Sequence, residues 1–194
     1  MSQKPFLSDI DTIRKRAREH IAEGAVTAGY RADRETVLKL LNDALATEIV
    51  CTLRYRRHHF MAKGIQSKSI ADEFLQHSNE EQQHADQIAG RIVQIGGEPN
   101  FSPDGLLSRS HAEYVEGETL VDMIREDLVA ERVAIDSYRE IVQYLSDKDP
   151  TSRRVMEKLN MRHNPADDFE HPLLREGHPL RRHVLYRLRR SEWS

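Results

Sequence analysis

Three carboxylates stand where a folded helical chain would ordinarily keep apolar side chains. At ~100° per residue, Glu48 sits amid Val37, Leu41, Ala44, Leu45, Thr52 and Tyr55 on one helical face. Glu81 and His84, three residues apart, lie on or beside the face formed by Ile70, Phe74, Ile88 and Ile92. Leu120, Ile124, Leu128, Ile135, Tyr138 and Val142 surround Glu131 in the same way. On this reading no Lys or Arg shares the three stripes. Burying an ionised carboxylate without a partner costs several kcal/mol, so the pattern predicts a cation taken from solution. The alternative is pairing with Arg across helix interfaces. Carboxylate oxygens with one imidazole nitrogen suit iron or manganese better than Cu(I) or an all-oxygen calcium site.

The elements that must position these groups follow from the punctuation of the chain. Residues 33–60 contain no Gly or Pro, and Gly64 closes that segment. A second helix is predicted from Ser67 or Ser69 to Ile95, stopped by Gly96-Gly97-Glu98-Pro99. A third is predicted from Thr119 to Ser146, and Asp149 caps a fourth with Pro150 at its first position. Ser8–Ala25 reads as a short amphipathic helix capped by Ser8, with Ile10, Ile13, Ala17 and Ile21 on one face. The link over 96–118 is too long for a tight turn. Helices of ~27 residues with one long connection describe an all-α four-helix bundle with a single crossover. Glu48 and Glu81 each lie 12 residues from the loop joining their helices, which is ~18 Å at 1.5 Å per residue and places them at one level. Glu131 is also near mid-helix. Leu45, Glu48, Val50, Tyr55 and Arg56 match Leu128, Glu131, Val133, Tyr138 and Arg139 in order and spacing, so the bundle reads as a duplicated hairpin.

Over about residues 33–158 these features resemble the bacterioferritin branch of the ferritin superfamily. The resemblance implies a ferritin-like fold, a carboxylate-bridged di-iron centre inside each bundle, and homo-oligomeric cages. By position, Glu48 is implied as a terminal ligand, Glu81 as the bridge, His84 as a ligand of the first metal and Glu131 of the second. Tyr55 matches a tyrosine near such sites that can donate an electron, and is the implied catalytic side chain. The implied activity is ferroxidation, in which dioxygen or peroxide oxidises iron(II) for storage and detoxification. Haem-binding members carry Met after the bridging Glu; here that residue is Gln82, so haem is not expected.

The fourth helix departs from the pattern. The level of the other ligands falls at residues 162–165, which read Arg162-His163-Asn164-Pro165; Arg162 brings the wrong charge and Pro165 breaks a helix. From Leu159 the composition shifts to Arg, His, Pro and Leu, and all seven Lys lie at or before Lys158. An aberrant or frame-shifted C-terminal region is the expectation. Glu48, Glu81 and His84 then hold one well-formed iron site, while the second keeps Glu131 and a share of Glu81 and is impaired. Asp127 and His163 are candidate replacements. His77 is expected to be a hydrogen-bonded neighbour of the site, Cys51 a packed small hydrophobe, and His58 and His59 solvated.

Composition bounds the rest. With 29 basic and 32 acidic residues the net charge is −3, which makes no general case for nucleic acid or an anionic membrane as partner. That total averages −7 over the first 170 residues and +4 over 171–194, where six Arg meet two Glu. Aromatic residues make up only 6%, which suits long amphipathic helices better than a β-sandwich. One Cys forbids an intrachain disulfide, and the N-terminus lacks an apolar leader, so a cytoplasmic location is expected. The organisation reads as an N-terminal helical extension over 1–32, a bundle over 33–163 with a truncated or altered fourth helix, and an irregular basic tail over 164–194. Three other readings fit parts of the pattern: a DNA-protecting cage, a manganese or di-iron peroxidase-type bundle, and a metal-free interaction module.

Overall fold

The computed structural model describes residues 9–19, 29–62 and 67–159, positions 21, 26 and 27, and the backbone of four two-residue strands between 162 and 187. Its helices are α1 (Ile10–Glu19), α2 (Arg34–Met61), α3 (Ser67–Gln94), α4 (Leu106–Arg109), α5 (Leu120–Leu145) and α6 (Pro150–Leu159). α2 packs along α3, α5 along the short α6, and contacts between α2 and α5 and between α3 and α6 close the bundle.

The ends of the long helices are set by local chemistry. The Asp33 carboxylate accepts from Thr36 N at 3.0 Å and caps α2. α5 opens with a reciprocal capping box between Thr119 and Asp122. α3 ends at Gly96, in the left-handed conformation at φ 75°, with Gly97 N donating to Ile92 O at 2.9 Å. A Cβ at position 97 would meet the terminal methyls of Leu38, which would have to move aside. Asp149 caps α6 by accepting from Ser152 N at 2.9 Å. The same carboxylate accepts from Arg91 Nη2 at 3.1 Å and from Tyr30 Oη at 2.9 Å, so the start of α6 is pinned to α3.

The crossover over 96–118 is stitched to α2 rather than left loose. Asn100 N donates to Asn42 Oδ1 at 2.8 Å, and His111 N donates to Thr47 Oγ1 at 2.9 Å. Arg54 Nη1 donates to Glu113 O at 2.7 Å and Arg57 Nη1 to Glu116 O at 2.8 Å. One apolar cluster gathers Leu41, Leu45, Ile88, Ile92, Leu145 and Met156 where all four helices run together. A smaller one, with Cys51, Tyr55, Phe74, Met123 and Ala130, fills the opposite end.

Several expectations are corrected. α1 begins after Asp9, whose carboxylate accepts from Asp11 N and Thr12 N; Ser8 lies outside the described residues. No residue of α1 is buried, so its Ile10–Ile13 face does not pack into the bundle. The crossover contains the one-turn α4, which carries no apolar period for sequence reading to detect. Leu128 is 41% exposed instead of core. α6 has 10 residues, about 15 Å of cover at 1.5 Å per residue, and reaches back along α5 only to about residue 135. The tail is not wholly irregular: Arg162–His163 pairs antiparallel with Tyr186–Arg187, and Phe169–Glu170 with Arg182–His183. No described helix is long and apolar enough to cross a membrane.

Candidate metal centre

Glu48, Glu81 and His84 converge between the two apolar clusters, each offering a ligand atom within 4.8 Å of the others. α2 supplies Glu48 from the middle of a face on which Ala44, Leu45, Cys51 and Tyr55 are all buried. α3 supplies the other two, since a three-residue step projects both side chains the same way. His84 Nδ1 stands 3.1 Å from Glu81 Oε2 and 3.4 Å from Glu48 Oε2. Tyr138, arriving from α5, donates to Glu48 Oε1. Glu48 Oε2 is buried and accepts no hydrogen bond. An anionic oxygen in that position, beside a second carboxylate and an imidazole, is chemistry that a divalent cation completes.

The charge pattern agrees. Burial, and then the facing Glu48, push the Glu81 carboxyl up to about 8. Burial alone would pull the His84 imidazole down, but the adjacent Glu48 and Glu81 carboxylates overcome this and raise it to about 10. In the absence of metal the group therefore holds protons at neutral pH, and a metal ion must displace them.

Glu131 lies outside that three-residue group. Its Oε1 accepts from Tyr55 Oη at 2.7 Å, and burial followed by the charge of Glu81 pushes its carboxyl up to about 7. The two tyrosines thus make reciprocal bonds across the bundle: Tyr55 of α2 reaches Glu131 of α5, while Tyr138 of α5 reaches Glu48 of α2. The repeated spacing of seven residues from Glu to Tyr held this information, although sequence reading placed Tyr138 only in the core.

Other candidates are redistributed. Asp127 does not compensate at the centre: its oxygens take Arg54 Nε at 2.9 Å and His58 Nδ1 at 2.9 Å. His58 is fully buried, not solvated, with Nε2 3.0 Å from Glu116 O. His59 is half-buried, Nδ1 2.7 Å from Ala71 O. Sequence reading put no Lys or Arg on the three stripes, but two arginines do enter the interior. Arg54 and Arg91 are both buried, and each is committed to a carboxylate away from the centre, Asp127 or Asp149. Cys51 is a buried free thiol, pushed up by burial and then by Glu81. His77 stacks on Tyr55, ring centroids 5.2 Å apart. α6 spans Pro150–Leu159, and within the stretch expected to mirror Glu81-x-x-His84 the residues Arg162–His163 form a strand; Asn164 and Pro165 lie outside the described residues. The side chain of His163 lies outside the described residues. A surface cleft of about 970 Å³, lined by Lys39, Glu98, Phe101 and Arg109 among others, sits over the start of α2 and away from this centre.

Comparison with known proteins follows the same outline. Residues 38–162 match the ferritin-like domain family. The bacterioferritin of Mycobacterium leprae is 29% identical over 136 residues, covering 70% of this chain and 78% of the relative. The nutrient stress-induced DNA-binding protein of a Nostoc species is 31% identical over 122 residues, 61% of this chain and 66% of that one. Among solved structures, the dodecameric thioferritin of Bacteroides fragilis, described as bacterioferritin-related, superposes with a TM-score of 0.64 at 26% identity, covering 67% of this chain and 79% of that one. Dps from Thermosynechococcus elongatus shares the fold, with a TM-score of 0.62 at 20% identity over 65% of this chain and 82% of its own.

Proposed function

The chain belongs to the ferritin-like domain family, and on that premise we propose that it binds iron(II) inside its bundle and oxidises it for storage and detoxification. The observation that carries this reading is the buried group of Glu48, Glu81 and His84, in which Glu48 Oε2 accepts no hydrogen bond and faces only the His84 imidazole. Iron(II) is the substrate, and dioxygen or peroxide accepts its electrons. Glu48, held by Tyr138, and the Glu81–His84 pair form one complete position for iron. Protons on Glu81 and His84 leave as the ion enters. Carboxylates with a single imidazole bind both oxidation states and leave coordination positions open for the oxidant. Tyr55, bonded to Glu131, is the side chain placed to deliver an electron. A second ion lacks the ligands that a full-length fourth helix would bring, so its position is the weaker one.

Anaerobic titration with iron(II), followed by admission of oxygen, tests the reading. One tightly bound ion per chain and formation of ferric absorbance are expected. A Glu81→Ala variant that binds as much metal as the parent would overturn the assignment. As in the dodecameric relative, copies of the chain are proposed to assemble into a homo-oligomer, whose size sedimentation measures directly, and to work in the cytoplasm. The 31% identity to a DNA-binding relative and the +4 tail favour one second reading, a DNA-protecting cage. DNA retention that collapses between low and moderate salt would support it.

A further inference from the structure

We propose that α1 is an interfacial helix that docks the protein on a membrane leaflet rich in anionic headgroups. The inference is independent of the iron reading and uses no residue of the metal centre.

α1 stands outside the bundle. Val26 packs against the larger apolar cluster, and Tyr30 Oη donates to Asp149 Oδ2 at 2.9 Å, so the chain is fastened to the bundle at these points. Of α1 itself, no residue is buried. Ile10 is 58% exposed and Ile13 43%. Ile21, two residues past the end of the helix, is 82% exposed. A run of aliphatic side chains is thus left in water, and water disfavours it.

The charges are arranged around that run. Rotation of ~100° per residue puts Ile10, Ile13 and Ala17 on one stripe. Arg14 and Arg18 border the stripe on one side and Arg16 on the other. Asp11, Lys15 and Glu19 lie on the far side, where Lys15 Nζ stands 3.9 Å from Glu19 Oε1. Arg14 Nη1 lies 3.3 Å from Asp11 Oδ1, both side chains largely exposed. The helix carries four basic side chains against two acidic ones, an excess hidden in the net −3 of the whole chain.

The order of these layers selects the partner. Nucleic acid would answer the arginines with phosphates but leave the isoleucines wet. The chain's own bundle leaves the whole face uncovered. A bilayer leaflet is layered as the helix is, with acyl chains to receive the isoleucines and anionic phosphates at the level of the flanking guanidinium groups. Ten residues span about 15 Å, too short to cross the hydrocarbon core, so the helix lies in the plane of the surface. Each basic side chain near an anionic leaflet adds attraction that salt screens. One short helix binds weakly, and copies joined in a homo-oligomer strengthen the attachment by presenting several helices to one surface.

Cosedimentation of the full chain with vesicles tests this, comparing equal parts phosphatidylglycerol and phosphatidylcholine with phosphatidylcholine alone. Binding to the anionic vesicles should be at least tenfold tighter than to the neutral ones. The Ile10→Gln/Ile13→Gln double variant and the Arg14→Gln/Arg16→Gln/Arg18→Gln triple variant should each weaken it at least tenfold. Both variants should keep the parent's iron(II) uptake and circular dichroism, which separates lost docking from a damaged fold. A parent that binds neither kind of vesicle, or both equally, overturns the inference. So does retention of duplex DNA, without vesicle binding, that the triple variant loses and the double variant keeps; that result assigns the helix to nucleic acid. A sedimentation coefficient that drops in the double variant, with no vesicle binding by the parent, assigns the face to a second copy of the chain and overturns it as well.

Discussion

The two hairpins of the bundle begin alike and end differently. α2 and α5 carry the same Glu and Tyr at the same spacing, and each tyrosine hydroxyl reaches the other helix's carboxylate. α2 is followed by the 28-residue α3, whose Glu81 and His84 meet Glu48 in a group that could hold a metal ion. α5 is followed by the 10-residue α6, which ends before any ligand. Glu131 is consequently left bonded to Tyr55, outside the three-residue group. Whether a buried carboxylate meets further ligand atoms or only a tyrosine hydroxyl depends on what its hairpin partner brings to the same level.

The largest expected effect comes from cutting the link between the hairpins. Asp127→Ala strands the buried Arg54 and His58 that its carboxylate holds. Breaking a buried pair of this kind costs about 3–5 kcal/mol, and the loss should appear as a lower denaturation midpoint with an unchanged slope.

Next comes pH, in protein freed of metal. Glu81 rises from 4.5 to about 8 and Glu131 to about 7. The folded chain thus keeps protons that the unfolded chain has released, and stability falls as pH rises between about 5 and 8. His84, raised from 6.5 to about 10, has the same sign: its contribution is complete below 6.5 and lost as pH climbs toward 10. Because metal displaces these protons, iron affinity should rise over the same range, and metal-loaded protein should show a much flatter stability profile.

The two carboxylates themselves sharpen the contrast. Glu81→Ala should weaken the tight ion at least about 100-fold, near 2.7 kcal/mol. Glu131→Ala should shift that same ion less than about tenfold. Equilibrium dialysis against iron(II) separates the two. The smallest effect is expected at the tyrosines. Removing one hydrogen bond with Tyr138→Phe should cost about 1 kcal/mol and loosen the tight ion by several-fold, whereas Tyr55→Phe should leave that ion unchanged.

The bundle was legible because each long helix has an apolar period and a chemically marked end, as Asp33, Thr119, Asp149 and Gly96 show. Glu48, Glu81 and His84 were legible for the same reason: a carboxylate on an apolar stripe contradicts its surroundings. His58 and Arg54 were not. Each is polar, stands near the end of a helix, and looks solvated until the crossover is laid over it. The partner that buries them, around Glu113 and Glu116, is about 60 residues away, and no local period records which side chains a distant loop will cover. α4 escaped for a related reason, since one turn of helix has no repeat to detect.

By itself, then, the amino-acid sequence determined the helices, their caps, the carboxylates on the core stripes and the point near Leu159 where the fourth helix fails, all of which depend on spacing along the chain. Only the tertiary structure decided which carboxylates meet. It gave Asp127 to Arg54 and His58, Glu131 to Tyr55, and Glu48 to Glu81 and His84. Those pairings depend on helix rotation and on distances across the bundle. A few ångströms there separate a metal ligand from an ion-pair partner, and residue spacing does not encode them.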